Sequence, residues 1–575
     1  MKVKKNKLLI WSSVLLATLF SIAATGSYLL SKYNFRFADG TQFVKNGLST
    51  NPASVQEIRN YSNSSNKDID VLHYDINIEL DTEKEKIICT VQITGIVKKE
   101  KLKSIRFNFY DNFNINNVLL NNKIAKYVNE DNHLTIANSI EQDDTFFVKV
   151  EYSGTPKNLG FGSFNFDEFN GSSVVYTLNE PIYASTWFPC NDVPLDKVQM
   201  DISITNDSSK TSLSNGVLED ITVEGSKKIY HWKTKYPIAT YLISILSANY
   251  VKFSDKYIYE TKDEADLDTM NIDYYVFPEH LENAKDDFDI HLDAIEFFSE
   301  TFGQYPFIEE KYGVAEFMWS MGAMENQTIT GIGKNFISGN DFFTGMLVHE
   351  LAHQWWGNAV TVSDWEDIWL NEGFATYSEA LYWEYKSGFS SLQSTMNSYL
   401  INFENTTLIN PKNMFGRTTY NKGAWVLHML RREVGDDIFF EILRMYFNTY
   451  KYKNTSTEEF IQLAEQTSQK DLTHFFAQWV YEGKGNLEVE YYFKNISIDN
   501  KNVVNIKIEQ VQSVYENYHF PLDVDLYYND GSKSRHTFFI DENDITLSLP
   551  VDNLVNRIML DPDGWLAVKV EEIKE

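Results

Sequence analysis

From Val71 onward, apolar residues fall on alternate positions. "VLHYDINIELD", "IICTVQITGIV", "SIRFNFY", "TFFVKVEYSG", "QMDISITN" and "TYLISILSANYVKFSD" all alternate with period two, so each reads as a strand with one face buried. They predict a β-rich domain over residues 67–252, with no internal repeat. From about residue 280 the period lengthens. "LENAKDDFDIHLDAIEFFSETFG" (Leu281 to Gly303) carries apolar residues at helical spacing, and "FATYSEALYWEY", "NKGAWVLHMLRREVG" and "IFFEILRMYFNTY" continue the series. "STEEFIQLAEQTS" opens with a capping signal. This region, 253–484, ends at "EGKGN". Alternation then returns in "NLEVEYYFKNISI", "VVNIKIEQVQ", "FPLDVDLYY", "HTFFID" and "ITLSLPV", which predicts a small β-sandwich over 485–575. The fold class expected is α+β and multidomain.

The N-terminus follows neither period. Lys2, Lys4, Lys5 and Lys7 precede 23 uncharged residues, Leu8 to Leu30. As a helix these span about 34 Å, enough to cross a bilayer. Ala23-Ala24-Thr25-Gly26 offers a cleavage site for a signal peptide. Tyr28-Leu29-Leu30 extends the apolar run past it, which favours an uncleaved anchor. The lysines put residues 1–7 inside. The expectation is a single-pass cell-membrane anchor over 8–30, a polar spacer over 31–66 and the bulk of the chain outside the cytoplasm. Cleavage and secretion are the alternative.

Composition adds limits. The 575 residues carry 81 acidic and 51 basic side chains, a net charge of -30, which repels nucleic acid. That charge mildly attracts cationic ligands, including peptide amino termini. Cys89 and Cys190 are the only cysteines, too few for a disulfide framework.

The chemistry concentrates in "LVHELAHQWWGNAVTVSDWEDIWLNEGFATYSE" (Leu347 to Glu379). Positions i and i+4 of a helix share a face, so His349 and His353 can bind one divalent ion, with Glu350 in reach of a water on it. With 11 histidines in the chain, chance yields only about 0.02 H-E-x-x-H matches. A catalytic zinc site wants a third protein ligand and an open position. Glu372 is the candidate. Glu379, two turns further on the same face, either orients a ligand histidine or is a surface glutamate.

H-E-x-x-H, then 18 residues, then Glu in Asn-Glu-Gly resembles the gluzincin metallopeptidases of the M1 aminopeptidase type. "MGAMEN" (Met321 to Asn326) is similar to that family's signature, as are "WFPCNDVPLDK", "YPIATYLISI" and "YNKGAWVLHML". The resemblance covers about residues 70 to 480. It implies a β-rich saddle domain, a thermolysin-like α/β catalytic domain, and one zinc ion held by His349, His353 and Glu372. Glu350 would be the general base and Tyr420 would donate a hydrogen bond to the oxyanion. Read on its own, Tyr420 is a core tyrosine at a helix start. Glu325 would bind the substrate's free α-ammonium, Gly322 and Ala323 would lie along the substrate, and Glu180 aligns with a second amine-binding position. Trp355, Trp356, His428 and Cys190 read as packing residues.

The resemblance therefore implies a zinc aminopeptidase acting on peptides with a free N-terminus at the outer surface. It has three departures, one being that a membrane segment is not universal in the family. Asp192-Val193-Pro194 replaces an acidic-Pro pattern, and no large helical C-terminal domain is present, so the cleft is expected to be open to longer peptides or capped by a second copy of the chain. The alternatives are a surface-binding protein on an inactive scaffold, or the lipid epoxide hydrolase activity of one family branch.

Overall fold

The computed structural model describes residues 67–159, 162–261 and 266–574, together with Ile58. The anchor expected over 8–30 and most of the spacer lie outside them. Among the described residues no helix is long and apolar enough to cross a membrane.

The period-two segments of the N-terminal region form strands, except "TYLISILSANYVKFSD": there Thr240–Leu242 is a 3-10 turn, Leu246–Ala248 is a short strand, and Thr240 to Ala248 are buried on both faces, so the alternation does not mark one exposed face. Ile69–Asp81 and Lys86–Val97 pair antiparallel, and their buried and exposed residues alternate as the sequence does, interrupted by an irregularity between Val71 and His73. They sit at the centre of a large sheet ordered Val217–Glu224, Lys227–Lys233, Lys197–Asp207, Ile69–Asp81, Lys86–Val97, Thr145–Gly154, Asn114–Leu120, Lys123–Ile124. Ile69–Asp81 and Lys197–Asp207 run parallel, so the chain must travel away and return between them. Smaller three- and four-stranded sheets pack against this one.

The next sheet is mixed, ordered Val251–Glu260, Leu267–Val276, Tyr312–Phe317, Thr330–Gly333, Ala323–Met324. Its first strand pairs antiparallel with Leu267–Val276 from Val251 onward. Helices α1 (Leu281–Phe288) and α2 (Ile290–Phe302) interrupt it. The sequence pattern predicts one helix there. The break at Asp289 has a cause: the Phe288 carbonyl accepts hydrogen bonds from Tyr274 Oη and from His291 Nδ1, which compete for a ladder acceptor. Seven helices follow: α3 (Thr344–Ala352), α4 (Trp369–Ser387), α5 (Phe389–Tyr399), α6 (Gly423–Val434), α7 (Asp436–Tyr450), α8 (Thr457–Ser468) and α9 (Thr473–Phe476). The α8 start is a full capping box between Ser456 and Glu459. Trp355 and Trp356 are buried, with Trp355 Nε1 donating to the Gly303 carbonyl.

The last segment forms a four-stranded and a three-stranded sheet. Tyr491 Oη donates to the Ile558 carbonyl and Asn495 to that of Val555, so the sheets face one another. His428 on α6 reaches this domain: its Nδ1 meets Tyr377 Oη and its Nε2 meets the Gly564 carbonyl, and its ring stacks on Trp565. It is a satisfied core histidine. Cys89 and Cys190 are free and buried.

Two lysine contacts are among those that bind the N-terminal strands to the helical region. Lys197 Nζ donates to the Asn358 and Ala359 carbonyls. Lys311 Nζ donates to the Ser214 and Gly216 carbonyls and to Thr328 Oγ1. Both fix the turn and strand that border the catalytic helices.

Candidate active site

The site is built where α3, α4 and the edge strand Ala323–Met324 meet. His349 lies in the last turn of α3 and His353 caps its C-terminus, and their Nε2 atoms are 3.0 Å apart. Glu372, in the first turn of α4, brings Oε2 to 3.5 Å and 3.4 Å from these nitrogens. All three side chains are buried.

The far sides of the rings settle their tautomers. His349 Nδ1 lies 2.9 Å from Glu379 Oε1, and His353 Nδ1 lies 2.9 Å from the Trp356 carbonyl. Both partners are acceptors, so both Nδ1 atoms carry hydrogen. Neutral rings then turn two Nε2 lone pairs toward each other and toward a carboxylate. Glu372 Oε2 has no hydrogen-bond partner. Such a cluster is satisfied only by positive charge. Burial alone would lower the pKa of each imidazole. For His349 the neighbouring carboxylates of Glu372 and Glu379 outweigh it, and for His353 the charges of Glu325 and Glu372 do, so both move up. Burial would raise Glu372, but His353 and His349 hold it at about 2. Two imidazoles and one carboxylate, with ligand atoms within 4.8 Å of one another, are the donor set of a catalytic zinc ion. Glu379 is only partly exposed, and its Oε2 accepts from Tyr399 Oη at 3.0 Å.

Glu350, next to His349, is buried, and its Oε2 has no hydrogen-bond partner. Burial raises its pKa; His349 opposes and Glu325 adds to this, and the carboxyl reaches about 8. A carboxylate in that range can take and return a proton near neutral pH. Tyr420 sits in a turn of π-helix, Thr418–Lys422, just before α6, and its ring stacks on that of His349 at 5.9 Å. Burial, with Glu372 and other nearby carboxylates, keeps its hydroxyl protonated.

Glu325 and Glu180 complete the group. One oxygen each from Glu180, Glu325 and Glu372 lie within 4.8 Å of one another. Glu180 Oε1 and Glu325 Oε1 are buried without partners. Burial raises both pKa values. Glu325 adds to the rise of Glu180, while His353 restrains that of Glu325. Gly322 and Ala323 lie at the sheet edge: Ala323–Met324 pairs only with Thr330–Gly333 on one side, and the Gly322 carbonyl accepts from Gly333 N–H. A Cβ on Gly322 would meet only Trp319, at 3.5 Å.

Several supporting residues escape sequence reasoning. Gln354 and Asn358 both donate to the Glu325 carbonyl and hold the edge strand against α3. Tyr241, from the N-terminal domain, donates to the Gly357 carbonyl and accepts from Asn371, the neighbour of Glu372. The Asp287 carboxylate accepts from the backbone N–H groups of Ser338, Gly339, Asn340 and Asp341, ordering the loop that enters α3. Gln354 and Asn358 lie within the zinc-motif stretch and were findable there. Nothing local marks Tyr241 or Asp287.

A family model described as the peptidase family M1 domain matches residues 287–479, and one described as the peptidase M1 N-terminal domain matches residues 70–242. The chain belongs to peptidase family M1. The N-terminal model covers strands of the β-rich region, and the other covers the helical segments that carry His349, His353 and Glu372. The probable aminopeptidase 2 of Sulfurisphaera tokodaii is 26% identical over 58% of this chain and 44% of its own length. Aminopeptidase N of Lactococcus lactis subsp. lactis is 25% identical over 71% and 50%. The chain thus spans about half the length of these M1 relatives. Among solved structures, the M1 zinc metallopeptidase of Deinococcus radiodurans matches with a TM-score of 0.60 at 23% identity, covering 72% of this chain and 94% of that one. Legionella pneumophila aminopeptidase A matches with a TM-score of 0.76 at 19% identity, covering 88% and 60%.

Proposed function

We propose that this M1 protein is a zinc aminopeptidase that removes residues from the free N-termini of peptides. The observation that carries the reading is the pair Glu180 and Glu325: buried carboxylates with unpaired oxygens beside the zinc ligands. A buried anion there demands a cation, and the substrate's α-ammonium supplies one at a fixed distance from the scissile carbonyl.

His349, His353 and Glu372 would hold the zinc ion. When bound, zinc supplies a Lewis acid for the carbonyl and the attacking water. The remaining work belongs to side chains. Glu180 and Glu325 seat the ammonium. The peptide lies along Gly322 and Ala323 and adds to the sheet edge. Glu350 accepts a proton at its carboxylate from the attacking water and returns it to the leaving amine. The Tyr420 hydroxyl donates to the oxyanion as it develops. Glu379 holds His349 in its ligand tautomer. A Tyr-Ser-Ala substrate is bound in one structure of the Deinococcus radiodurans enzyme, which supports a peptide as the ligand here. A binding protein on an inactive scaffold has less support, because ligands, base, tyrosine and amine-binding glutamates are all retained and converge.

The test is hydrolysis of a panel of aminoacyl chromogenic amides, each also with a blocked N-terminus, with zinc content read on the same sample. Activity on free but not blocked amides, lost to chelator and restored by zinc, is the expected result. Equal rates on blocked amides would remove the role of Glu325 and point to an endopeptidase. We further place the enzyme at the cell membrane, on the outer side, held by residues 8–30. This rests on the sequence alone, and protease accessibility on intact cells tests it.

A further inference from the structure

We propose that the cage formed by Glu180, Glu325 and Glu372 also binds a hard divalent cation, of the Mn2+ or Ca2+ class, in competition with the substrate ammonium. The inference extends the amine-binding role proposed above to regulation of the same site.

Three observations meet there. The carboxylates offer oxygens within 4.8 Å of one another. Their residues are 6%, 4% and 2% exposed. Glu180 Oε1, Glu325 Oε1 and Glu372 Oε2 are each without a hydrogen-bond partner. Oxygens around one Ca2+ at 2.3–2.6 Å lie at most about 5 Å apart, so the spacing suits an ion as well as an ammonium.

Charge distinguishes the two occupants. With Glu180, Glu325, Glu350 and Glu372 all ionised, as a bound cation favours, the group carries four negative charges, and one zinc ion offsets two. A single ammonium leaves the group negative, whereas a divalent cation neutralises it. A small buried volume with uncompensated charge favours the occupant that cancels it. Donor chemistry separates this site from the zinc site. The imidazole pair selects zinc, while an all-oxygen set selects harder ions. Glu372 is common to the two groups. Mn2+ stands below zinc in affinity for nitrogen donors, so it does not displace zinc from His349 and His353.

The consequence is an enzyme whose apparent affinity for free N-termini falls as hard divalent cations rise. Entry of the ion and entry of the ammonium are mutually exclusive, so inhibition appears in KM and leaves kcat unchanged.

The experiment uses the zinc-loaded full chain titrated with Mn2+ alone, with free ion followed by electron paramagnetic resonance. One saturable site per chain is expected. Leucinamide should displace the ion and N-acetyl-leucinamide should not. Glu180→Gln and Glu325→Gln should each weaken the site at least tenfold while retaining one zinc per chain. Only diffuse binding to the acidic surface, or a site indifferent to both substitutions, overturns the proposal. The two readings fail separately. If Mn2+ binds in the cage but both variants keep the KM of free-amine substrates, the amine-binding role is wrong and the cation site stands. If the variants raise KM and Mn2+ finds no site, the cation proposal is wrong and the amine-binding role stands.

Discussion

Removing the support behind His349 is the most direct probe of the zinc site. Glu379 Oε1 lies 2.9 Å from His349 Nδ1, and its Oε2 accepts from Tyr399 Oη at 3.0 Å. The carboxylate therefore fixes the ring's orientation and tautomer and makes Nε2 a better donor to the metal. In Glu379→Gln, the amide oxygen can still accept from Nδ1–H, and the amide nitrogen can donate to Tyr399, so geometry survives and the charge is lost. In Glu379→Ala, both contacts go and the ring is free to turn. Partners of this kind contribute about 10–100-fold to metal affinity, or about 1.4–2.7 kcal/mol. The Gln variant should fall near the tenfold end and the Ala variant near the hundredfold end. Tyr399→Phe removes only the outer hydrogen bond and should cost less than either. Competition for zinc against a calibrated chelator measures all three, with thermal unfolding of the zinc-free proteins as a check on folding. If Glu379→Ala binds zinc within threefold of wild type, the carboxylate does not support the ligand and this account of the site is wrong.

Two further outcomes test other parts of the structure. Tyr420→Phe keeps the ring that stacks on His349 and removes the hydroxyl. Its kcat should fall about 10²–10³-fold, with KM and zinc content close to wild type; a change confined to KM would count against an oxyanion role. Asp196 in the N-terminal domain gives a pH signature. Burial raises its carboxyl from 3.8 to about 7, although Asn191 and the Val71 N–H donate to it. The native state thus holds a proton that the unfolded chain has released. Its contribution is greatest below about pH 4, declines by about 1.4 kcal/mol per pH unit as pH rises toward 7, and is flat above. Asp196→Asn should flatten the fall of the unfolding midpoint between pH 5 and 7, and an unchanged slope would show that other groups set it.

What the sequence determines about this protein is what short-range geometry encodes. Period-two alternation survives as strands where one face is buried, as in Lys86–Val97 and Thr145–Gly154, and fails over Thr240 to Ala248, where both faces are buried. The four-residue spacing of His349 and His353 suffices for a shared ligand face because a helix repeats every 3.6 residues. The seven-residue step from Glu372 to Glu379 works for the same reason, and the capping box at Ser456 is likewise local.

Only the tertiary structure decided the rest. Glu180 lies in the N-terminal domain, far along the chain from Glu325 and Glu372, and no periodicity links them; packing of domains makes them one cage. The same packing brings Tyr241 to the turn after His353, while within the helical region the strand Leu267–Val276 brings Tyr274 to the Phe288 carbonyl at the helix break. It also separates the two readings of Glu379, since a surface glutamate and a ligand support share one sequence and differ in whether His349 and Tyr399 stand beside it. The physical reason is common to all of these. Backbone geometry repeats along the chain and can be read from it, whereas the meeting of buried polar groups depends on which surfaces exclude water together, and that is a property of the assembled fold.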